Sequence, residues 1–172
     1  MPQNLPARPV NCLPQFPAAT ILAHMDVSGT IDKILRQKSG EICSVNPDAT
    51  VYDAIKLMAE KNVGALLVME NEKLVGIVSE RDYSRKVMLR GKTSRTSTVR
   101  EIMTTELTTA HPKETVEECL RFMTEKRIRH LPVVCEGELR GVISIGDLVK
   151  EVISSQSATL DALQNYISGY PC

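Results

Sequence analysis

LVGIVSERD, residues Leu74–Asp82, is written a second time as LRGVISIGD, Leu139–Asp147, 65 residues further on. Each copy is a short apolar run ending in Ser-x-x-Asp, the pattern of a strand that runs into a capped helix. Sliding the chain against itself by 65 positions carries the match without a gap from 42–88 onto 107–153, with 13 of the 47 pairs identical. A match of that length makes the repeat, and neither motif alone, the unit of the fold.

Working outward, the first copy reads strand, helix, strand, strand, helix. A short strand over 42–45 is ended by Asn46-Pro47. Thr50 caps a helix over 51–61, where Val51, Ala54, Ile55 and Met58 share one face. Strands over 65–69 and 74–78 are joined by an Asn71-Glu72 turn, and a helix from Glu80 to Leu89 stops near Gly91. The second copy repeats the order: strand 107–110, helix 116–126, strands 130–134 and 139–144, helix 145–155. Two helices lie outside this register. One runs over 30–37, with Ile31, Ile34 and Leu35 on one face and Ser28 as cap; the other runs over 99–103, capped by Thr98. A modest helix over 160–167 is expected to cover the module.

The predicted fold is α+β, two tandem repeats about a pseudo-twofold axis. One repeat buries little by itself, so the two sheets are expected to pack face to face over one shared core. Residues 1–25 hold five of the nine prolines and a single charge, Arg8, and 1–27 read as a disordered or loosely packed arm. The remaining segments are 28–89, the N-terminal helix with the first repeat; 90–155, a linker with the second; and 156–172, a C-terminal helix and tail.

Composition narrows the function. Lys+Arg and Asp+Glu are both 21, so no global field draws nucleic acid or a membrane surface. Trp is absent and aromatics are 3%, which leaves few stacking platforms for single strands. The longest apolar run, Ala65–Met69, is far short of the roughly 20 residues of a membrane span. Five cysteines without a C-x-x-C argue against a disulfide framework or zinc site, and Cys43 and Cys119 fall where the repeat wants small apolar residues. Cytoplasm is the expected compartment, with the mitochondrial matrix as the alternative.

These residues resemble the cystathionine-β-synthase (CBS) domain family in its tandem form, the Bateman module. The likeness covers roughly 40–155 and rests on GIVSERD and GVISIGD as G-h-h-[ST]-x-x-D signatures and on IRHLPVV at the second middle strand. The wording is similar to that of small stand-alone CBS-pair proteins. The resemblance implies an adenosyl ligand between the repeats and dimerisation into a flat disc; it does not imply catalysis. AMP leads among the implied ligands, with ADP, ATP or NAD(H) as alternatives.

Ser79-x-x-Asp82 and Ser144-x-x-Asp147 each suffice as capping boxes. The same carboxylates can accept from both ribose hydroxyls, and both readings stay open. Asp147 is preferred because its repeat also carries Arg127, Arg129 and His130 beside the strand 130–134, groups suited to phosphate. Gly64 and Ala65, their uncharged counterparts, allow an adenine ring to approach the backbone, and Gly146 lies within the second motif. A solvated basic edge and close packing are the plainer accounts of these residues.

Other chemistries fail. Gly91-Lys92-Thr93 lacks the glycine that a phosphate-binding P-loop needs five residues earlier, where Lys86 stands. Six basic residues and no acid between Ser84 and Arg100 read as a solvated or phosphate-facing loop. The three histidines have no metal-ligand spacing, and no nucleophile–base pair can be assembled. A barrel such as that of IMP dehydrogenase, which carries a similar pair, needs about 250 residues. The expected function is a non-catalytic sensor that binds an adenosyl ligand, forms a homodimer and signals to an unknown downstream protein; the alternative is a ligand-free dimerisation scaffold.

Overall fold

The computed structural model describes residues 29–38 and 42–168, with side chains through residue 157. The N-terminal arm and the Ser28 cap lie outside the described residues. Helix α1 (Ile31–Gln37) is followed by β1 (Ser44–Val45), α2 (Val51–Lys61), β2 (Ala65–Glu70), β3 (Lys73–Ser79) and α3 (Glu80–Lys86). A 3-10 turn, Met88–Arg90, and a left-handed Gly91 end this repeat. Then come α4 (Val99–Ile102), α5 (Val116–Lys126), β4 (His130–Cys135), β5 (Glu138–Ser144) and α6 (Ile145–Ser168).

The hairpins form as the alternating apolar pattern dictates. β2 and β3 pair antiparallel, Leu66 opposite Val78, and β4 and β5 repeat that pairing with Leu131 opposite Ile143. Both tight turns use two residues at positive φ, Asn71-Glu72 and Glu136-Gly137, which suits the twist of a two-residue hairpin. Thr50 and Thr115 accept from the amides of Asp53 and Glu118 and so start α2 and α5.

The expected strand over 107–110 shrinks to one bridge, Ala110 beside Val133. Proline accounts for this. Leu67 donates its N–H to the Cys43 carbonyl, extending β1 along β2, whereas its counterpart in β4 is Pro132, which has no N–H to give. The two helices expected over 145–155 and 160–167 form one continuous helix, α6.

The expected single shared core is replaced by two, and the helices outside the 65-residue register explain why. Val51, Met58, Leu66, Val68 and Val78 of the first repeat close around Val99 and Ile102 of α4. Val116, Met123, Leu131, Ile143 and Leu148 of the second close around Ile31 and Ile34 of α1. The exchange is paired bond for bond. Ile31 N–H donates to the Glu114 carbonyl and Asp32 N–H to that of Pro112; Val99 donates to Ala49 and Arg100 to Pro47. Each signature glycine admits the exchanged helix: a Cβ on Gly76 would lie 2.9 Å from Met103 Sδ, and one on Gly141 would lie 2.9 Å from Leu35 Cδ2.

The sequence offers Met58, Met88, Leu120, Phe122 and Val149 on the helices as candidates for a self-complementary face; of these Met58 is a core residue and is withdrawn, Leu120 packs against the second core and Phe122 is half-buried. Met88 (61% exposed) and Val149 (45%) remain, joined by Leu89 (82%) and Ile153 (60%).

Candidate functional site

Because each repeat contributes a strand shoulder to its neighbour's helix start, the Ser-x-x-Asp motifs end in two adjoining clefts. Both motifs are complete capping boxes. Asp82 Oδ2 accepts from Ser79 N (3.0 Å) and Oγ (2.6 Å), and Asp147 Oδ2 accepts from Ser144 N (2.7 Å) and Oγ (2.8 Å).

The two carboxylates then differ. Asp82 Oδ1 is taken by Lys86 of its own helix at 2.8 Å. Asp147 receives Lys38, from the end of α1, on the same Oδ2 that serves the cap, also at 2.8 Å. Asp147 Oδ1 therefore accepts nothing among the described residues. Burial raises the Asp147 pKa, but the Lys38 ammonium and the Ser144 amide and hydroxyl outweigh it and hold the carboxyl below its ordinary range. Lys38 also donates to the Val142 carbonyl at 3.1 Å, so it spans the mouth of this cleft.

The Asp147 cleft has a volume of about 340 Å³ and is walled by Leu35, Ile42, Val63, Ala65, Leu67, Ile77 and Val142, with Asn62, Lys38 and Arg140 at its polar margin. The Asp82 cleft, about 530 Å³, is lined by Arg81, Arg85, Arg127 and Arg129 together with Glu80, Ser79 and Gly146. Gly64, His130 and Ser144 border both, so the clefts meet at His130. A Cβ on Gly64 would rest 3.5 Å from His130 Cε1, an ordinary contact, so protein packing alone does not demand glycine there.

One grouping read from the sequence is corrected here. Arg127 and Arg129 do not join Asp147; the crossing of the repeats carries them to the Asp82 cleft, and of these three basic residues His130 alone reaches both. Ser144, Asp147 and Ala65 fall together, as do Ser79 and Asp82 with the arginines. Sequence reasoning missed Lys38, whose partner is 109 residues away. It also missed Arg81 and Arg85, which stand one helical turn apart on α3 and were legible as a pair.

His130 is half-buried. Burial first, then Lys38 and Arg129, lower its pKa below that of ordinary imidazole against the opposing pull of Asp147. An unfolded chain takes up this proton at about pH 6.5 while the folded protein resists it, so the unfolded state binds more protons and stability falls as pH drops through that value. The apo protein should lose stability between about pH 7.5 and 5.5, with a flatter profile in His130→Gln. Chemical denaturation at both pH values checks this; equal slopes would remove His130 as the cause. The Cys119 thiol, pushed up to about 12 by burial and then by Glu114, is an inert core group.

Two repeats that exchange helices about a pseudo-twofold and leave adjoining clefts at their helix starts define a tandem-repeat module. The chain belongs to the CBS-domain family: the CBS domain model matches residues 30–89 and 99–154, each match beginning at the first residue of an exchanged helix or one residue before it. The chain is 39% identical over 160 residues to the CBS domain-containing protein CBSX3, mitochondrial, of Arabidopsis thaliana, covering 86% of this chain and 78% of that one. A solved CBS-domain protein from Burkholderia ambifaria is 50% identical with a TM-score of 0.72, over 74% of this chain and 96% of its own. The CBS domain pair of protein MJ0100, solved in complex with 5′-methylthioadenosine and S-adenosyl-L-methionine, is 25% identical with a TM-score of 0.64, over 74% of this chain and 98% of its own. No helix among the described residues is long and apolar enough to cross a membrane.

Proposed function

We propose that this chain is a non-catalytic regulatory module that binds an adenosyl ligand in the Asp147 cleft. The observation that carries the reading is one juxtaposition: an apolar slot of nucleoside size beside a carboxylate oxygen, Asp147 Oδ1, with no acceptor duty among the described residues. A base needs apolar walls and a ribose needs an acceptor for its hydroxyls. The adenosyl compounds in the MJ0100 pair support the ligand class. AMP, ADP, ATP and NAD(H) all carry that part. Binding is expected to shift the pose of the two repeats, by no more than the ligand's difference in affinity for the two poses, and a downstream protein in cytoplasm or mitochondrial matrix reads it. Thermal shift with adenosine, AMP, ATP, NADH and S-adenosylmethionine tests this; no shift with any of them would leave a dimerisation scaffold as the function.

Self-association has its own support. Met88 and Ile153 occupy equivalent positions in the two repeats, and with Leu89 and Val149 they expose apolar side chains beyond α3 and along α6. A homodimer through this face is expected by light scattering at micromolar concentration, and Ile153→Asp should yield monomers. A monomeric wild type would overturn the dimer.

A further inference from the structure

Helices α1 and α4 fit the two repeats alike in everything except charge. They are copies 68 residues apart, so Ile31, Ile34 and Leu35 stand where α4 and its cap have Val99, Ile102 and Met103. Leu35 approaches Gly141 as Met103 approaches Gly76, and the backbone bonds to Glu114 and Pro112 match those to Ala49 and Pro47. Apolar contact and backbone pairing therefore do not tell one helix from the other. The charges do. Asp32-Lys33 in α1 is answered by Arg100-Glu101 in α4, the same two positions with both signs reversed. The surfaces that receive them are reversed as well. Lys33 Nζ meets Glu151 at 2.6 Å, and Glu151, 6% exposed, is the one charged residue buried among the described residues. Its counterpart in the first repeat is Lys86, which donates to the Ile102 carbonyl of α4 at 2.6 Å. Arg100 bonds Asp48 at 3.0 Å and Glu70 at 2.6 Å, where the second repeat has Lys113 and Cys135.

We infer that these charges, and not the apolar faces, assign each helix to its repeat, by making the opposite assignment repulsive. With α1 on the first repeat, Lys33 would face Lys86, and Asp32 would face Asp48 and Glu70. With α4 on the second, Glu101 would face Glu151 and Arg100 would face Lys113. The repulsion weighs most at Glu151, whose buried carboxylate needs a cation, and less at the exposed contacts of Arg100. Synthesis order gives the device its use. Helix α1 and the first repeat emerge before α4, and the core of that repeat stays open until Val99 and Ile102 arrive. During that interval α1 is the apolar helix to hand, and its charges keep it free for the second repeat. The assignment also shapes the candidate site, because the opposite one would set Glu106, and not Lys38, beside Asp147.

Melting curves of two fourfold variants of the full chain test this. I31V/L35M/V99I/M103L exchanges the apolar faces of the two helices and leaves their charges in place. D32R/K33E/R100D/E101K exchanges the charges and leaves the apolar faces, so each repeat meets the charges that the wrong helix would bring. The apolar exchange should melt within about 4 °C of the wild type, since the swaps conserve volume between the two cores. The charge exchange should melt at least about 10 °C lower, or fail to fold. K33E alone should lose about 5–10 °C, and adding E151K should restore most of that loss, which keeps the test readable if the fourfold variant is unfolded. A charge exchange that melts no lower than the apolar exchange would overturn the inference. So would a K33E loss that E151K leaves untouched, because the sign of the pair would then be without effect.

Discussion

Ile102→Ala should cost about 2–5 kcal/mol in denaturant unfolding, although Ile102 lies in the connection between the repeats, where substitutions are usually mild. The residue is 1% exposed, and with Val99 it fills the core of the first repeat. Truncation leaves a cavity between α4 and the sheet that backbone relaxation fills only in part. Ile31→Ala should cost a similar amount through the opposite repeat, since Ile31 is sealed among Val116, Met123 and Ile143. Leu89→Ala, in the same connection but exposed, should stay within about 0.5 kcal/mol in a monomeric sample. A loss below about 1 kcal/mol for Ile102→Ala would mean that α4 rests on the repeat and does not plug it.

The same helices mark the edge of what the sequence discloses. Strands, hairpin turns and caps were legible because the 65-residue register aligns apolar periods, turn residues and Ser-x-x-Asp together. Thr30-Ile31-Asp32-Lys33-Ile34 and Thr98-Val99-Arg100-Glu101-Ile102 are also copies, but 68 residues apart, and three extra residues hide them from the shift that reveals the rest. Local periodicity shows each as a helix with an apolar face and says nothing about which repeat that face meets. The exchange is a long-range choice, and so are the grouping of Arg127 and Arg129 with Asp82 and the pairing of Lys38 with Asp147. Pro132 was visible in β4, but its effect falls on a different segment, 107–110, which loses its ladder partner. The gap expected between helices over 145–155 and 160–167 is absent, and helical hydrogen bonding continues through it.

Asp147 was preferred over Asp82 from the sequence for its neighbouring arginines. Geometry retains the preference for another reason: Asp147 has a carboxylate oxygen to offer and apolar walls beside it, whereas both oxygens of Asp82 are engaged by Ser79 and Lys86.

That difference can be read from melting curves of the wild type, Asp147→Asn and Asp82→Asn, each with and without AMP. Losing the cap and the Lys38 ion pair should lower the stability of apo Asp147→Asn by about 0.5–2 kcal/mol. Saturating AMP should stabilise the wild type by RT ln(1 + [L]/Kd), about 2.7 kcal/mol at a hundredfold excess over Kd. Most of that gain should be absent from Asp147→Asn, with the fold intact, and most of it should remain in Asp82→Asn. A ligand-induced shift in Asp147→Asn equal to that of the wild type would contradict the account and return both Ser-x-x-Asp motifs to plain helix caps.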